Sequence, residues 1–401
     1  MRKRRFFIAL VFALGVLLVP VMAYAEAGDV SPVNPHGKEV VIIKAYDVEA
    51  VIAKGQHLKL DASLGAVASG SVTWSSSDNS VASVASNGEV IGGADGTATI
   101  TAECSGFKDT LKVTVKTPKS VATKIDAYGS TSEYQYNSFG QVTRYVSEYG
   151  TEETTYNNCG LPTEYREIEE YGTDRTTYKY DQLMNVTEVS EVYSDGSGSK
   201  STYKYDSFGR LTSYEERELS TGKMEESATY EYTSSGGGLK MTESKTEYYP
   251  DDPPETEVTV WTYNAKGLLT RKEEDSIYVG KLTTTYSYDS KDRLKKTKDL
   301  WSDSTTTYTY NKQDLVTKAV TAPYIPDNIR YAKHVITYTY DAQLRDVKSI
   351  EKYSSFKNVS VRKYAGNQDI PNKTTTTYYK KSGKKYKVSY KDTITQVVED
   401  L

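Results

Sequence analysis

"TYKYDSFGRLTSY", residues 202–214, returns in altered form along two thirds of the chain: "EYQYNSFGQVT" from 133, "TYKYDQLMNVTEV" from 177, "TYSYDSKDRLKKT" from 285 and "TYTYNKQDLVTKA" from 307. Side chains two apart on an extended strand share a face, so Tyr203 and Tyr205 lie on one side and Thr202, Lys204 and Asp206 on the other. Asp206 to Gly209 read as a turn, because Asp bonds its own backbone and Gly accepts positive φ. Leu211 then returns on the tyrosine side. Each unit is therefore a hairpin.

The second tyrosines of the units are Tyr136, Tyr156, Tyr180, Tyr205, Tyr232, Tyr263, Tyr288, Tyr310 and Tyr340, with Tyr364 in a tenth, irregular unit, at intervals of 20 to 31 residues. Self-similarity at such a period marks a repeat architecture. The apolar return positions are Val142, Val186, Leu211, Leu269, Leu294 and Val316. Hairpins this polar are marginal alone and gain stability by lying side by side.

Composition agrees with strands. The 401 residues have a mean hydropathy of −0.61, which taken alone would point to disorder, but 36 are Tyr, against 7 Phe, and Tyr, Thr and Val favour sheets. Net charge is −4, and −8 once the four basic residues at 2–5 are set aside. Residues 26–279 carry −18 and residues 280–401 carry +10. The basic end is read first as a solvated, lysine-rich strand face that blocks edge pairing, with attraction to anionic wall polymers or lipid headgroups as the other reading.

Residues 1–25 have the pattern of a secretory signal peptide: Arg2, Lys3, Arg4 and Arg5, then 14 apolar residues at 6–19, Pro20, and Ala23-Tyr24-Ala25. Cleavage is expected between Ala25 and Glu26. The apolar run is short for a bilayer span, so the mature chain is expected to have no transmembrane segment and to be secreted or held at the cell surface. Export permits a disulfide, but Cys104 and Cys159 fall in different modules and read as small fillers.

After a loose linker at 26–37, residues 38–117 hold seven short alternating runs: "VVIIKAY", "HLKLDAS", "SVTWSS", "VASVAS", "EVIG", "TATITAEC" and "TLKVTVK". They predict a β-sandwich, with Val72 and Trp74 in the core and a turn at Asn87-Gly88. The Trp74-Ser75-Ser76 strand, "VASVASNGEVIGGADGTATITAE" and the closing "LKVTV" resemble the bacterial immunoglobulin-like domain, group 2. That resemblance implies a spacer or adhesive module of surface and secreted proteins, without catalytic residues. A hinge is expected at 118–123 and the repeats at 124–401.

The repeats resemble the RHS or YD family, through Tyr180-Asp181, Tyr205-Asp206, Tyr288-Asp289 and Tyr340-Asp341. Asn replaces Asp at Asn137, Asn157, Asn264 and Asn311, and Gly is lost at Met184, Asp292, Asp314 and Leu344. Large members of that family wind into a hollow shell. Here about ten units occur without the "DPxG"-like closing element, so the expected fold class is all-β: an Ig-like sandwich followed by an open or partly spiralled ribbon of hairpins.

No catalytic constellation is expected. His36, His57 and His334 are scattered, and paired acids such as Glu152-Glu153 read as solvated faces. No cofactor, metal or nucleic-acid partner is expected. The chain reads as a non-enzymatic structural or adhesive surface protein, its partner a cell-wall polymer, a glycan or a surface protein. Two alternatives accompany this. One is a lectin-like protein with Tyr203, Tyr205, Tyr286, Tyr288, Tyr308 and Tyr310 as glycan contacts, against which stands the simpler role of those rings as the sheet's own core. The other is a small or decayed relative of RHS toxin carriers.

Overall fold

The computed structural model describes residues 41–44, 49–64, 71–104, 107–118, 120–206, 210–235, 238–250, 252–276, 280–322, 333–353, 355–366, 368, 370–382 and 385–400. The signal segment with Ala25 and Glu26, the linker at 26–37 with His36, and Phe208-Gly209 lie outside them. Among the described residues every regular element is a strand.

The first module has nine strands. Glu49–Ile52, Phe107–Val115, Gly96–Cys104 and Thr73–Ser76 form one sheet, His57–Lys59, Glu89–Gly92 and Ala82–Val84 a second, and Val41–Lys44 pairs with Asp61–Leu64. Alternation builds the core: Ala98, Ile100, Ala102 and Cys104 point inward from one strand and Leu111, Val113 and Val115 from its neighbour, while Trp74 packs against them, half-buried. At the Asn87-Gly88 turn, Gly88 has φ +82° and a Cβ there would lie 2.3 Å from the Leu60 carbonyl oxygen. Only Gly fits that position. The strand Glu49–Ile52, which runs parallel to Phe107–Val115, was not expected from its four residues.

The second body has 22 strands, from Ser120–Ala127 to Lys385–Asp400, each antiparallel to the next in strict chain order. The ribbon is not open. Its first strand pairs with its last, from Ser120 opposite Asp400 to Asp126 opposite Thr395, and the sheet is a closed barrel. The physical reason is that an open ribbon leaves two edges of unpaired backbone groups, and closure removes both. Ala122, Ile125, Ile370, Ile394 and Val398 pack at the seam. Closure also shortens the expected hinge. Among the described residues there, Lys116–Pro118 lack regular structure, and residues 120–127 are already a barrel strand.

The repeated residues now have individual reasons. In eight units the pairing register slips just before the second tyrosine, as between Lys204 and Tyr205. The slip leaves one extra residue on the return strand, a β-bulge that frees backbone groups. In five units the bulged residue is a Thr whose hydroxyl donates to a carbonyl across the bulge: Thr163 to Thr155, Thr187 to Lys179, Thr212 to Lys204, Thr270 to Thr262 and Thr317 to Thr309, at 2.9–3.3 Å.

The second tyrosine joins units. Its hydroxyl donates to a carbonyl on the preceding unit's return strand, Tyr136 to Ala122 on the first barrel strand, then Tyr156 to Val142, Tyr180 to Pro162, Tyr205 to Val186, Tyr232 to Leu211, Tyr288 to Leu269, Tyr310 to Leu294, Tyr340 to Val316 and Tyr364 to Asp346, at 2.6–3.0 Å.

The turn uses only Oδ1 of its Asp or Asn, which accepts two N–H groups two and four residues on. Asn157 takes Cys159 and Leu161, and Asp289 takes Lys291 and Arg293. Asn is thus a full substitute for Asp. In every Asp unit Oδ2 accepts from a side chain four residues on, an Arg in Asp206–Arg210, Asp289–Arg293 and Asp341–Arg345 and the Asn185 amide at Asp181. Each of these guanidinium groups also covers the next unit's tyrosine, Tyr232, Tyr310 or Tyr364, at 4.3–4.4 Å.

Where Gly is lost, its conformation persists: Met184, Asp292, Asp314 and Leu344 have φ of 60° to 67°. Two outcomes follow for urea denaturation of the mature chain. Tyr205→Phe removes one tie between units and lowers stability by about 1 kcal/mol. Leu344→Gly, at an exposed site, relieves a left-handed backbone and raises stability by up to about 1 kcal/mol. An unchanged midpoint in either variant contradicts its assignment.

Candidate contact rim

An up-and-down barrel has two rims, and here they differ. One carries the Asx turns inside the units. The Ig-like module rests on it: Gln56 Nε2 donates to the Cys159 carbonyl at 2.8 Å, and the His57 amide donates to the Asn158 carbonyl at 3.1 Å. Cys159 is half-buried in this junction, Cys104 is buried in the sandwich, and the two are not joined in a disulfide. His57 holds Glu89 at 2.8 Å within the sandwich, and His334 holds Glu351 at 3.0 Å in the barrel.

The opposite rim carries the turns between units, and large apolar side chains stand out from them. Tyr128 is 67 % exposed, Tyr149 78 %, Tyr171 87 % and Trp301 66 %, and Tyr193, Leu219, Tyr248 and Leu300 are also exposed. Successive turns of this kind are two strands apart, roughly 10 Å. A carboxylate neighbours most of these rings in sequence, as in Glu148-Tyr149, Glu170-Tyr171, Glu247-Tyr248 and Asp299-Leu300-Trp301. Asp299 also fixes its turn by accepting the Trp301 amide at 2.9 Å. Exposed aromatic rings beside hydrogen-bonding groups are suited to ligands with one apolar face and many hydroxyls.

The six strand tyrosines expected to meet glycans lie elsewhere. Tyr203, Tyr205, Tyr286, Tyr288, Tyr308 and Tyr310 sit half-buried on one face of the sheet. The hydroxyls of Tyr205, Tyr288 and Tyr310 make the ties between units. Tyr203 and Tyr205 pack against the cluster of Leu211, Tyr214, Met241 and Trp261. Burial pushes the Tyr203 hydroxyl up to about 12. The turn tyrosines were overlooked because they stand outside the repeated "YxYD" spacing. The available signal was an aromatic residue beside an acid and a small residue, as in "SEYGT" and "EEYGT".

The two faces of the sheet differ in charge. Side chains on the concave side of a closed sheet converge and cover one another, so the half-buried tyrosine face is the inner one. On the outer face acids and bases interleave: Glu188 lies between Lys179 and Lys200 at 2.8 and 2.7 Å, and Glu273 between Arg271 and Lys281 at 3.0 and 2.7 Å. On the inner face acids stand directly opposite acids: Glu152 and Glu167, Glu167 and Asp174, Glu216 and Glu226, Glu226 and Glu247, Glu247 and Glu255. Lys245 reaches Glu226 at 3.0 Å. Like charges across strands destabilise a sheet. Burial raises the carboxyls of Glu152, Glu191 and Glu226 above the usual range. Hydrogen bonds from Arg271 and Lys281 pull Glu273 down to about 2.

Residues 41–124 match the sequence model of the bacterial Ig-like domain (group 2), past the end expected at 117. Among solved structures, the chain is similar to one of TcdB2-TccC3-TEV, with 12% identity, a TM-score of 0.28, and coverage of 65% of this chain and 17% of that one. It is also similar to a porin-like protein from Bacteroides uniformis, with 13% identity, a TM-score of 0.25, and coverage of 70% and 98%. A porin-like protein from Bacteroides vulgatus has 12% identity, a TM-score of 0.19, and coverage of 69% and 97%. No curated protein matches the chain.

The charge arrangement fixes a pH dependence. Carboxyls raised in the folded state bind protons more tightly there than in the unfolded chain, so Glu152, Glu191 and Glu226 add stability as pH falls into their range. Carboxyls lowered in the folded state, such as Glu273 and Asp289, lose their contribution as pH falls toward about 2. Tm is therefore expected to rise from about pH 7 to about pH 5 and to fall below about pH 4. Glu226→Gln should flatten the rise. A Tm that falls steadily from pH 7 downward overturns this account.

Proposed function

We propose that the protein is a non-enzymatic binding module of the bacterial cell surface or surroundings, which holds an extended neutral or amino-containing polysaccharide along the aromatic rim. The observation that carries this reading is the row of exposed rings at Tyr128, Tyr149, Tyr171, Tyr193 and Tyr248, with Leu219 at the turn between the last two, on the end of the barrel away from the Ig-like module. The strand tyrosines are engaged in holding the sheet together, whereas the turn tyrosines have open faces. A spacing of roughly 10 Å is about that of alternate sugars in an extended chain, so several weak contacts add through multivalency. The neighbouring carboxylates disfavour anionic polymers such as those first considered for the basic end. The Ig-like module then acts as a spacer, consistent with the export pattern at residues 1–25.

The same reading places the barrel in water. A lipid-spanning barrel needs an outward apolar band, and the outer face here carries Arg144, Glu153, Arg166, Lys179, Glu188 and Lys200. Among the described residues no helix is long and apolar enough to cross a membrane. Closure of the sheet favours a second reading, a small relative of RHS shells. A toxin and immunity gene pair downstream supports it, and a gene neighbourhood without one counts against it.

The test is pull-down and calorimetry of the mature chain with insoluble neutral polysaccharides. Tyr149→Ala or Tyr171→Ala should weaken binding about fivefold each with Tm unchanged, and the pair together with Trp301→Ala should abolish it. Absence of binding by the wild type, or full binding by the triple variant, rejects the rim as the contact surface.

A further inference from the structure

Six buried side-chain oxygens among the described residues have no hydrogen-bond partner, and five of them lie on the segments that close the barrel: Ser120 Oγ, Gln368 Oε1, Asn372 Oδ1, Thr374 Oγ1 and Gln396 Oε1. Four of the five come from one neighbourhood. The Gln396 amide donates to the Asn372 carbonyl at 2.8 Å. Thr374 stands opposite Ile394, two residues before Gln396 and on the same face. Gln368 Nε2 donates to the carbonyl of Val398, two residues after Gln396. Thr374 is 4 % exposed and Gln396 7 %, and the buried side chains of Ala122, Ile125 and Ile370 pack beside them.

The surrounding loop is built rather than loose. Arg345 Nη1 donates to the carbonyls of Gly366 and Gln368, both at 2.9 Å, and its charge is matched by Asp341 at 2.7 Å. Gln368, beyond the tenth unit's tyrosine, reaches the last strand at the Val398 carbonyl.

The unpaired oxygens of Gln368, Asn372, Thr374 and Gln396 lie on neighbouring segments, with Thr374 and Gln396 themselves buried, and an unpaired buried acceptor calls for a water or an ion. Neutral oxygen donors suit hard cations, and flexible oxygen sets suit calcium in particular. We propose that Gln368, Asn372, Thr374 and Gln396 bind a hard cation, of the calcium or sodium kind, that clamps the barrel seam. With no carboxylate in the set the site is weak, in the range of extracellular calcium modules at about 10⁻⁴–10⁻³ M, which suits an exported protein.

The test uses the full mature chain, stripped with chelator and scanned thermally in calcium chloride and in sodium chloride, with choline chloride at equal ionic strength as the reference. One of the two metal ions should raise Tm saturably, by about 3 °C at tenfold its dissociation constant. Thr374→Val and Gln396→Met should lose that increment while the metal-free Tm stays level or rises, because each removes an unpaired oxygen. Terbium(III) luminescence on the wild type, displaced by calcium, gives a reading that does not depend on how the variants fold. No Tm increment from either ion together with no bound terbium, or an equal increment in both variants, overturns the proposal.

Discussion

A tyrosine hydroxyl that reaches back to a carbonyl on the preceding unit holds the barrel in register. Backbone pairing alone would join the hairpins, but it is indifferent to a slip of two residues. The bulge before the second tyrosine in eight units removes that indifference, because it places the return strand where the next hydroxyl can find it. The bulge frees carbonyls, the threonine satisfies one across the hairpin, and the tyrosine satisfies one across the joint. Three residue types that recur together thus serve one local problem, which is how to pin polar strands that have little apolar area to set their register.

The same economy explains where charge sits. A wide sheet has no opposite wall for its tyrosines to meet, so the rings pack along the sheet against neighbours such as Leu211, Met241 and Trp261. Outside, acids and bases alternate and cancel. Inside, acids face acids, and burial lets Glu152 and Glu226 hold protons more readily. Sites of contact are then left to the ends. One rim meets the Ig-like module through Gln56 and His57 at the Asn158-Cys159 turn, and the other presents its rings to solvent.

Much of this was legible in the residues, and the parts that were not have identifiable causes. The hairpin unit, the Asx turn and the shared face of Tyr203 and Tyr205 follow from spacing alone. So does the sandwich, whose alternation in "TATITAEC" and "LKVTV" places Ile100 and Val113 in its core. Closure was not legible, because Ser120–Ala127 and Lys385–Asp400 do not carry the repeat, and their partnership depends on summed twist over 22 strands. Substitutions that looked like decay were the opposite kind of information. Asn stands for Asp because the turn uses only one oxygen, and Asp is kept where Arg210, Arg293, Arg345 or Asn185 donates to the second one. The rim tyrosines stayed hidden because attention to a repeated pattern passes over what lies between its copies.

Most units are fastened only to the ones beside them, apart from those at the joint and the Asn158-Cys159 unit that meets the Ig-like module. A duplication or loss of one "YxYD" segment by unequal recombination would change the circumference by two strands and leave every surviving fastening intact. The ring can therefore drift in copy number over evolutionary time at little cost, provided that the segment containing Gln368 to Gln396 is inherited whole.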